Sequence, residues 1–94
     1  MANKLNDEAV RDRLSGLESW ALDEGKLFRA FKFANFVEAI GFMTRAAIEA
    51  EKLDHHPEWF NVYSKVNVHL TTHSAGGITK LDFALAKIMN ELAK

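Results

Sequence analysis

Apolar residues recur along this chain with two periods, and the switches between them mark out seven elements. Asn6 ahead of Asp7 and Glu8 has the form of a helix N-cap with acids in the first turn. Ala9, Val10, Leu14 and Leu17 would face inward from that helix, which stops near Gly16. From Trp20 to Phe33 the period shortens to two. Leu27, Arg29, Phe31 and Phe33 alternate with Phe28, Ala30 and Lys32, and Asp23-Glu24-Gly25 supplies a turn, so this segment reads as a β-hairpin.

The helical period returns at Asn35, where Asn35-Phe36-Val37-Glu38 resembles a capping box. From Phe36 to about Leu53, the residues Phe36, Ala39, Ile40, Phe42, Met43, Ala46, Ala47, Ala50 and Leu53 cover an arc of roughly 160° at 100° per residue. Glu38, Arg45, Glu49 and Lys52 lie opposite. Val37 and Ile48 fall outside this stripe and Phe42 at its edge, so part of the helix is expected to meet another subunit. Pro57 blocks further helix and pushes His56 toward extended geometry. Trp59 to Tyr63 then reads as a strand, Ser64-Lys65 as a turn, and Val66 to His73 as a second strand with one apolar face. After the loop Ser74-Ala75-Gly76-Gly77, Thr79-Lys80-Leu81-Asp82 starts a closing helix whose inward residues are Leu81, Leu85, Ile88, Met89 and Leu92. The order α-β-β-α-β-β-α predicts an α+β fold: a four-stranded antiparallel sheet with three helices packed on one face.

Composition narrows the class. Ninety-four residues allow a single domain, 1–94, and the 48% hydrophobic and 27% charged content is that of a globular protein rather than a disordered one. Such a small domain has a thin core. With no cysteine to form disulfides, homo-oligomerisation is the expected support. A net charge of -1 with scattered Lys and Arg argues against a nucleic-acid partner. No apolar run approaches the ~20 residues of a membrane span, and the polar N-terminus lacks a signal-peptide centre, so a cytoplasmic location is expected.

The candidate chemistry lies in imidazoles. Of four histidines, His55 and His56 precede the only proline, and His73 ends the next predicted strand but one. A hairpin would bring these ends to the same side. Histidine both gives and takes protons near neutral pH, so the pattern points to acid/base work. A metal is disfavoured: adjacent His55 and His56 point to opposite sides of an extended chain, and His69 and His73 on one strand would stand roughly 13 Å apart. No nucleophile elbow or phosphate loop is present; Ser74 has only His73 beside it, and Gly76-Gly77 reads as a loop device. Trp59 is core by default, though an aromatic beside imidazoles also suits stacking on a flat heterocycle. Asp82 reads most simply as an acid favouring a helix N-terminus. Glu51 lies on the flank of the long helix from which its carboxylate could reach a pocket.

At these residues the chain resembles the pterin-4a-carbinolamine dehydratases, also known as dimerization cofactors of a hepatocyte homeodomain transcription factor. The family pattern reads here as Glu51-x-x-x-His55-His56-Pro57, the aromatic segment Trp59 to Tyr63, His73 and Asp82, with Gly41 to Arg45 and Glu51 to Tyr63 similar almost without interruption. The resemblance implies dehydration of 4a-hydroxytetrahydrobiopterin to quinonoid dihydropterin, which recycles the cofactor of aromatic amino acid hydroxylases. It implies catalytic roles for His55, His56 and His73, and pterin binding by Asp54, Thr71, Thr72 and Ser74 together with those histidines. Glu51, Pro57, Trp59 and Asp82 would support them. Pterin is then the substrate, and no cofactor or metal is called for. Family members form dimers of dimers, and in animals one face binds a transcription factor's dimerization helix. The alternative function is therefore a protein-binding coactivator that uses the central helix face.

Overall fold

A computed structural model describes residues 2–94. The three N-caps read from the sequence are in place, although at Asn35 only the asparagine half of the expected capping box forms. Asn6 Oδ1 accepts the Ala9 N–H at 2.8 Å and opens α1 (Asp7–Ser15), and Asn35 Oδ1 accepts the Glu38 N–H at 2.9 Å and opens α2 (Phe36–Leu53). Thr79 opens α3 (Lys80–Leu92) with a full capping box, in which Asp82 returns its carboxylate to the Thr79 N–H. The strands are β1 (Ala21–Asp23), β2 (Lys26–Lys32), β3 (Glu58–Val62) and β4 (Lys65–Leu70), all paired antiparallel in the order β1-β2-β4-β3. This is the expected α+β order and architecture.

Strand period two separates the faces. Leu27, Phe31, Val66, Val68 and Leu70 are buried on the inner face, where Val10, Ala39, Phe42, Ala46, Phe83, Leu85 and Met89 complete one core with the helices. Glu58, Asn67, His69 and Phe28 lie on the outer face, because Glu58 and Phe28 both pair with His69.

Three details depart from the sequence reading. The core side of α2 is rotated by roughly 35° from the expected stripe. Ala46 sits at the middle of the buried arc and Phe42, still toward one side of it, is fully buried and so unavailable to another subunit, whereas Phe36, Ile40 and Ala47 are exposed with Val37 and Ile48. The helix is apolar around well over half its circumference, so periodicity alone could not say which part meets the sheet. Strand β3 begins one residue earlier than expected, at Glu58, and Tyr63 is a turn residue with φ 51°. Strand β4 ends at Leu70 instead of running to His73. Beyond it, Thr72 exchanges backbone hydrogen bonds with Gly77, and the loop they close holds a single 3-10 turn, His73–Ala75.

Candidate active site

The site is assembled where β2 and β3 begin and β4 ends. Asp54 caps α2 in the left-handed conformation, φ 50° and ψ 43°, which an aspartate tolerates better than most residues. That reversal carries the chain back over the helix end, and the His55 N–H bonds to the Ala50 carbonyl at 3.0 Å. His55 is consequently buried while its neighbour His56 is exposed, the opposite orientation expected for adjacent residues of an extended chain.

Each of the three histidines meets its own carboxylate. His55 Nε2 donates to Asp82 Oδ1 inside the fold. Asp82 Oδ2 accepts the Thr72 hydroxyl at 2.9 Å and the Thr79 N–H at 2.8 Å, and the two threonine hydroxyls lie 2.8 Å apart. His56 Nε2 meets Glu51 Oε1 at 2.7 Å in the open. His73 Nε2 meets Glu58 Oε2 at 2.7 Å, and the other oxygen of Glu58 receives the Lys26 ammonium at 2.7 Å. Lys26 foremost, and His73 after it, hold the Glu58 carboxyl below its ordinary range. Glu58 in turn raises Lys26 above its ordinary value, with Glu24 adding to the effect.

These contacts tie the two candidate segments together twice. Asp82 is shared by His55 and Thr72, and Glu58, two residues after His56, holds His73. No buried side-chain nitrogen or oxygen among the described residues lacks a partner, and Nδ1 of His55 makes no hydrogen bond, so that atom opens onto the surface. Every ring therefore has Nε2 fixed on a carboxylate, with Nδ1 left over.

Of the remaining predicted residues, Thr71 is half-buried, Ser74 is exposed in the 3-10 turn and Asp54 is exposed at the helix cap. Pro57 is half-buried between the two histidine-bearing positions and β3. Trp59 lies on the inner sheet face and packs against the core. A cavity of about 620 Å³ adjoins Thr71 and Lys26, bounded by Leu5, Val10, Leu22 and Ile78, but none of the three histidines lines it. His69, beside Glu58 on the outer face, takes a different carboxylate, 2.8 Å from Asp23, and packs on Phe28; the donor atoms of His69, Asp23 and Glu24 lie within 4.8 Å of one another. Sequence reasoning missed Glu58 and Lys26. The signal available was a charged residue at the start of each of two strands, but their meeting depends on β-sheet order.

An α+β domain with three imidazole–carboxylate pairs at one end of its sheet has the groups that acid/base chemistry uses. The comparisons give the family. The model for the pterin 4 alpha carbinolamine dehydratase family matches residues 3–92. A protein of Rhizobium leguminosarum bv. trifolii, named for pterin-4-alpha-carbinolamine dehydratase, is 58% identical over 92 residues, covering 96% of this chain and 91% of the relative. The crystal structure of a transcriptional coactivator/pterin dehydratase from Brucella melitensis superposes with a TM-score of 0.94 at 47% identity, over 98% of this chain and 100% of that one. A pterin dehydratase-like protein described as a RuBisCO assembly factor of the alpha-carboxysome shares the fold alone, with a TM-score of 0.68 at 24% identity over 81% of this chain and 90% of that one. The chain belongs to the pterin-4a-carbinolamine dehydratase family.

Proposed function

We propose that the protein dehydrates a 4a-hydroxytetrahydropterin, with 4a-hydroxytetrahydrobiopterin the model substrate, and so recycles the cofactor spent by aromatic amino acid hydroxylases. The observation that carries this reading is the double link between the His55–Glu58 and Thr71–Ser74 segments, through Asp82 and through Glu58. The reaction breaks the C4a–O bond and the N5–H bond, forms C4a=N5, and releases water. It needs one group to protonate the departing hydroxyl and one to accept the N5 proton, each typically worth about 10²–10⁴-fold. Imidazoles with Nε2 held and Nδ1 open are suited to both tasks, and the balance requires neither a metal nor a redox partner.

In this reading His55 and His73 carry the protons and His56 assists or orients. Asp54, Thr71 and Ser74 offer the polar groups for the amino-pyrimidine edge, while Glu51 and Asp82 orient rings; Thr72, expected among the binding groups, is buried with its hydroxyl on Asp82 and acts only by bracing that carboxylate. The test is stopped-flow decay of chemically generated 4a-hydroxytetrahydropterin with and without the protein, repeated for His55→Ala, His56→Ala and His73→Ala. Acceleration by the wild type and its loss in the variants is the expected result; near-wild-type rates in all three end the catalytic proposal.

A second reading has its own support. Val37, Ile40 and Ile48 leave an exposed apolar side on α2 that the core does not use, and the Brucella relative is described as a coactivator as well as a dehydratase. Self-association into a dimer or tetramer is the first use we infer for that side, and a partner protein's helix the alternative. Light scattering on the eluting protein separates them: a monomer speaks against self-association, and a tetramer that binds pterin but no partner leaves the coactivator reading unsupported.

A further inference from the structure

The three carboxylates that hold the site histidines are not equivalent. Asp82 is buried and its other hydrogen bonds come from neutral donors, the Thr72 hydroxyl and the Thr79 N–H. Glu51 meets His56 in solvent, with 79% of its side chain exposed. Glu58 is bracketed, Oε1 by an ammonium and Oε2 by an imidazole, each at 2.7 Å. The Lys26 and Glu58 side chains are about two-thirds covered, at 32% and 38% exposure, so this pair is held more firmly than one in open solvent. The bracket is built from three places in the sheet: Lys26 is the first residue of β2, Glu58 the first of β3, and His73 follows the end of β4.

A carboxylate shared in this way acts on the imidazole twice. Its oxygen accepts Nε2–H and fixes the plane of the ring, which leaves Nδ1 as the atom a ligand can meet. Its negative charge favours the imidazolium form, and a cation on the opposite oxygen offsets that preference. We propose that Lys26 is a positioning residue which acts through Glu58: it anchors the carboxylate that orients the His73 ring and offsets its charge, so that His73 approaches a ligand as a neutral proton acceptor through Nδ1. Placed in the dehydration, on whose reading this catalytic use rests, the N5 proton passes to His73 Nδ1, the imidazolium so formed is held by Glu58, and the proton then returns to solvent. The titratable groups facing the relay are Lys26, Glu58 and His73 themselves, Glu24 of the β1–β2 turn, Asp23 opposite Lys26 on β1, and His69 opposite Glu58 on β4, whose Nε2 is held by Asp23.

The relay predicts opposite responses from two neighbouring substitutions. In the full-length protein, the protonation midpoint of the His73 ring is followed by proton NMR, with the resonance assigned by its loss in His73→Gln. Lys26→Met removes the offsetting cation and raises that midpoint, while Glu58→Gln removes the carboxylate and lowers it. Lys26→Arg keeps the wild-type midpoint. The acid limb of kcat for dehydration moves with the NMR midpoint in each variant, and KM stays within about twofold. Midpoints that stay put, or that move in the same direction in Lys26→Met and Glu58→Gln, overturn the relay. So does an acid limb that ignores the midpoints. Because the NMR measurement needs no turnover, a wild-type protein that fails to dehydrate pterin while its variants still show opposed midpoints overturns the dehydratase reading and with it the catalytic use of Lys26, but not the charge coupling.

Discussion

Asp82, which completes the capping box of α3, also accepts the Nε2–H of His55 from twenty-seven residues earlier in the chain. One buried carboxylate thus fixes a helix start, a site histidine and the threonine that precedes another site histidine. Removing the imidazole leaves Oδ1 buried without its donor, which costs about 1–3 kcal/mol. His55→Ala is therefore expected to lose stability on that scale in urea unfolding. His56→Ala and His73→Ala, whose rings are exposed, stay within about 0.5 kcal/mol of wild type. Equal losses in all three variants would contradict this division between a buried and two open histidines.

Asp82→Asn separates orientation from folding. The asparagine carbonyl can still accept from Thr72 and Thr79, and its NH₂ then faces His55 Nε2. The ring adapts by moving its proton to Nδ1, the atom that opens onto the surface. The variant is expected to fold with near-wild-type stability while dehydration falls by about 10²–10⁴-fold, because a neutral ring with no carboxylate behind it is a far weaker proton donor at Nδ1 than an imidazolium held by Asp82. Nitrogen-15 shifts of the His55 ring check the tautomer directly; an unchanged tautomer with unchanged rate removes His55 Nδ1 from the chemistry.

Phe42 gives the sharpest contrast on the central helix. It is fully buried and packs on Phe31 and Phe33, with ring centroids 4.7 and 4.9 Å away. Phe42→Ala is expected to cost about 3–5 kcal/mol. Val37→Ser, five residues earlier and 75% exposed, changes the stability of the isolated subunit by no more than about 0.5 kcal/mol. Thermal melts at low protein concentration test the pair, since self-association on that face would make the Val37 effect concentration-dependent.

What could be read in the sequence and what could not divides along the range of the forces involved. Caps at Asn6, Asn35 and Thr79 are contacts across three residues, and all three are in place. His55-His56-Pro57 also announces itself locally, since proline and the alternation of an extended chain send its two histidines to different environments. The orientation of α2 was not legible, because a helix apolar on two sides offers its sheet-facing side no distinct signature. The end of β4 at Leu70 was hidden for a similar reason: Thr71, Thr72 and His73 continue the strand's alternation, and only the Thr72–Gly77 bridge takes them out of the ladder. Glu58 and Lys26 meet across a sheet in which β4 lies between their strands. No spacing in the sequence encodes that register.

Gly76 turns the chain out of the 3-10 turn that carries His73, with φ 76° and its N–H on the His73 carbonyl at 3.1 Å. A Cβ there meets nothing within 4 Å, so the penalty of Gly76→Ala is backbone strain alone, about 1–2 kcal/mol. At Gly77 the obstacle is different: a Cβ would come within 2.8 Å of the Lys4 side chain, whose far end can swing into solvent. Gly77→Ala is accordingly expected to be milder than Gly76→Ala in chemical denaturation, and Lys4→Ala to relieve it. Equal costs, or no relief, would show that the loop is held by something other than these two constraints.

The Lys26–Glu58 pair also fixes how stability responds to pH. Glu58 titrates below its ordinary range in the folded protein, so its contribution is complete above the usual glutamate value of about 4.3 and is lost as pH falls through the lower folded value. Lys26 titrates above its ordinary range, so its contribution is complete below about 10.4 and is lost as pH rises through the higher folded value. Both side chains are near one-third exposed, so the effect is small and screened by salt. Lys26→Met should then melt slightly below wild type at neutral pH in dilute buffer. That gap should close as pH falls through the lowered folded value of Glu58, where the glutamate loses its charge, and narrow at neutral pH in about 0.5 M salt. A gap that survives both treatments would mean that Lys26 stabilises the sheet end by packing its aliphatic stem rather than by its charge.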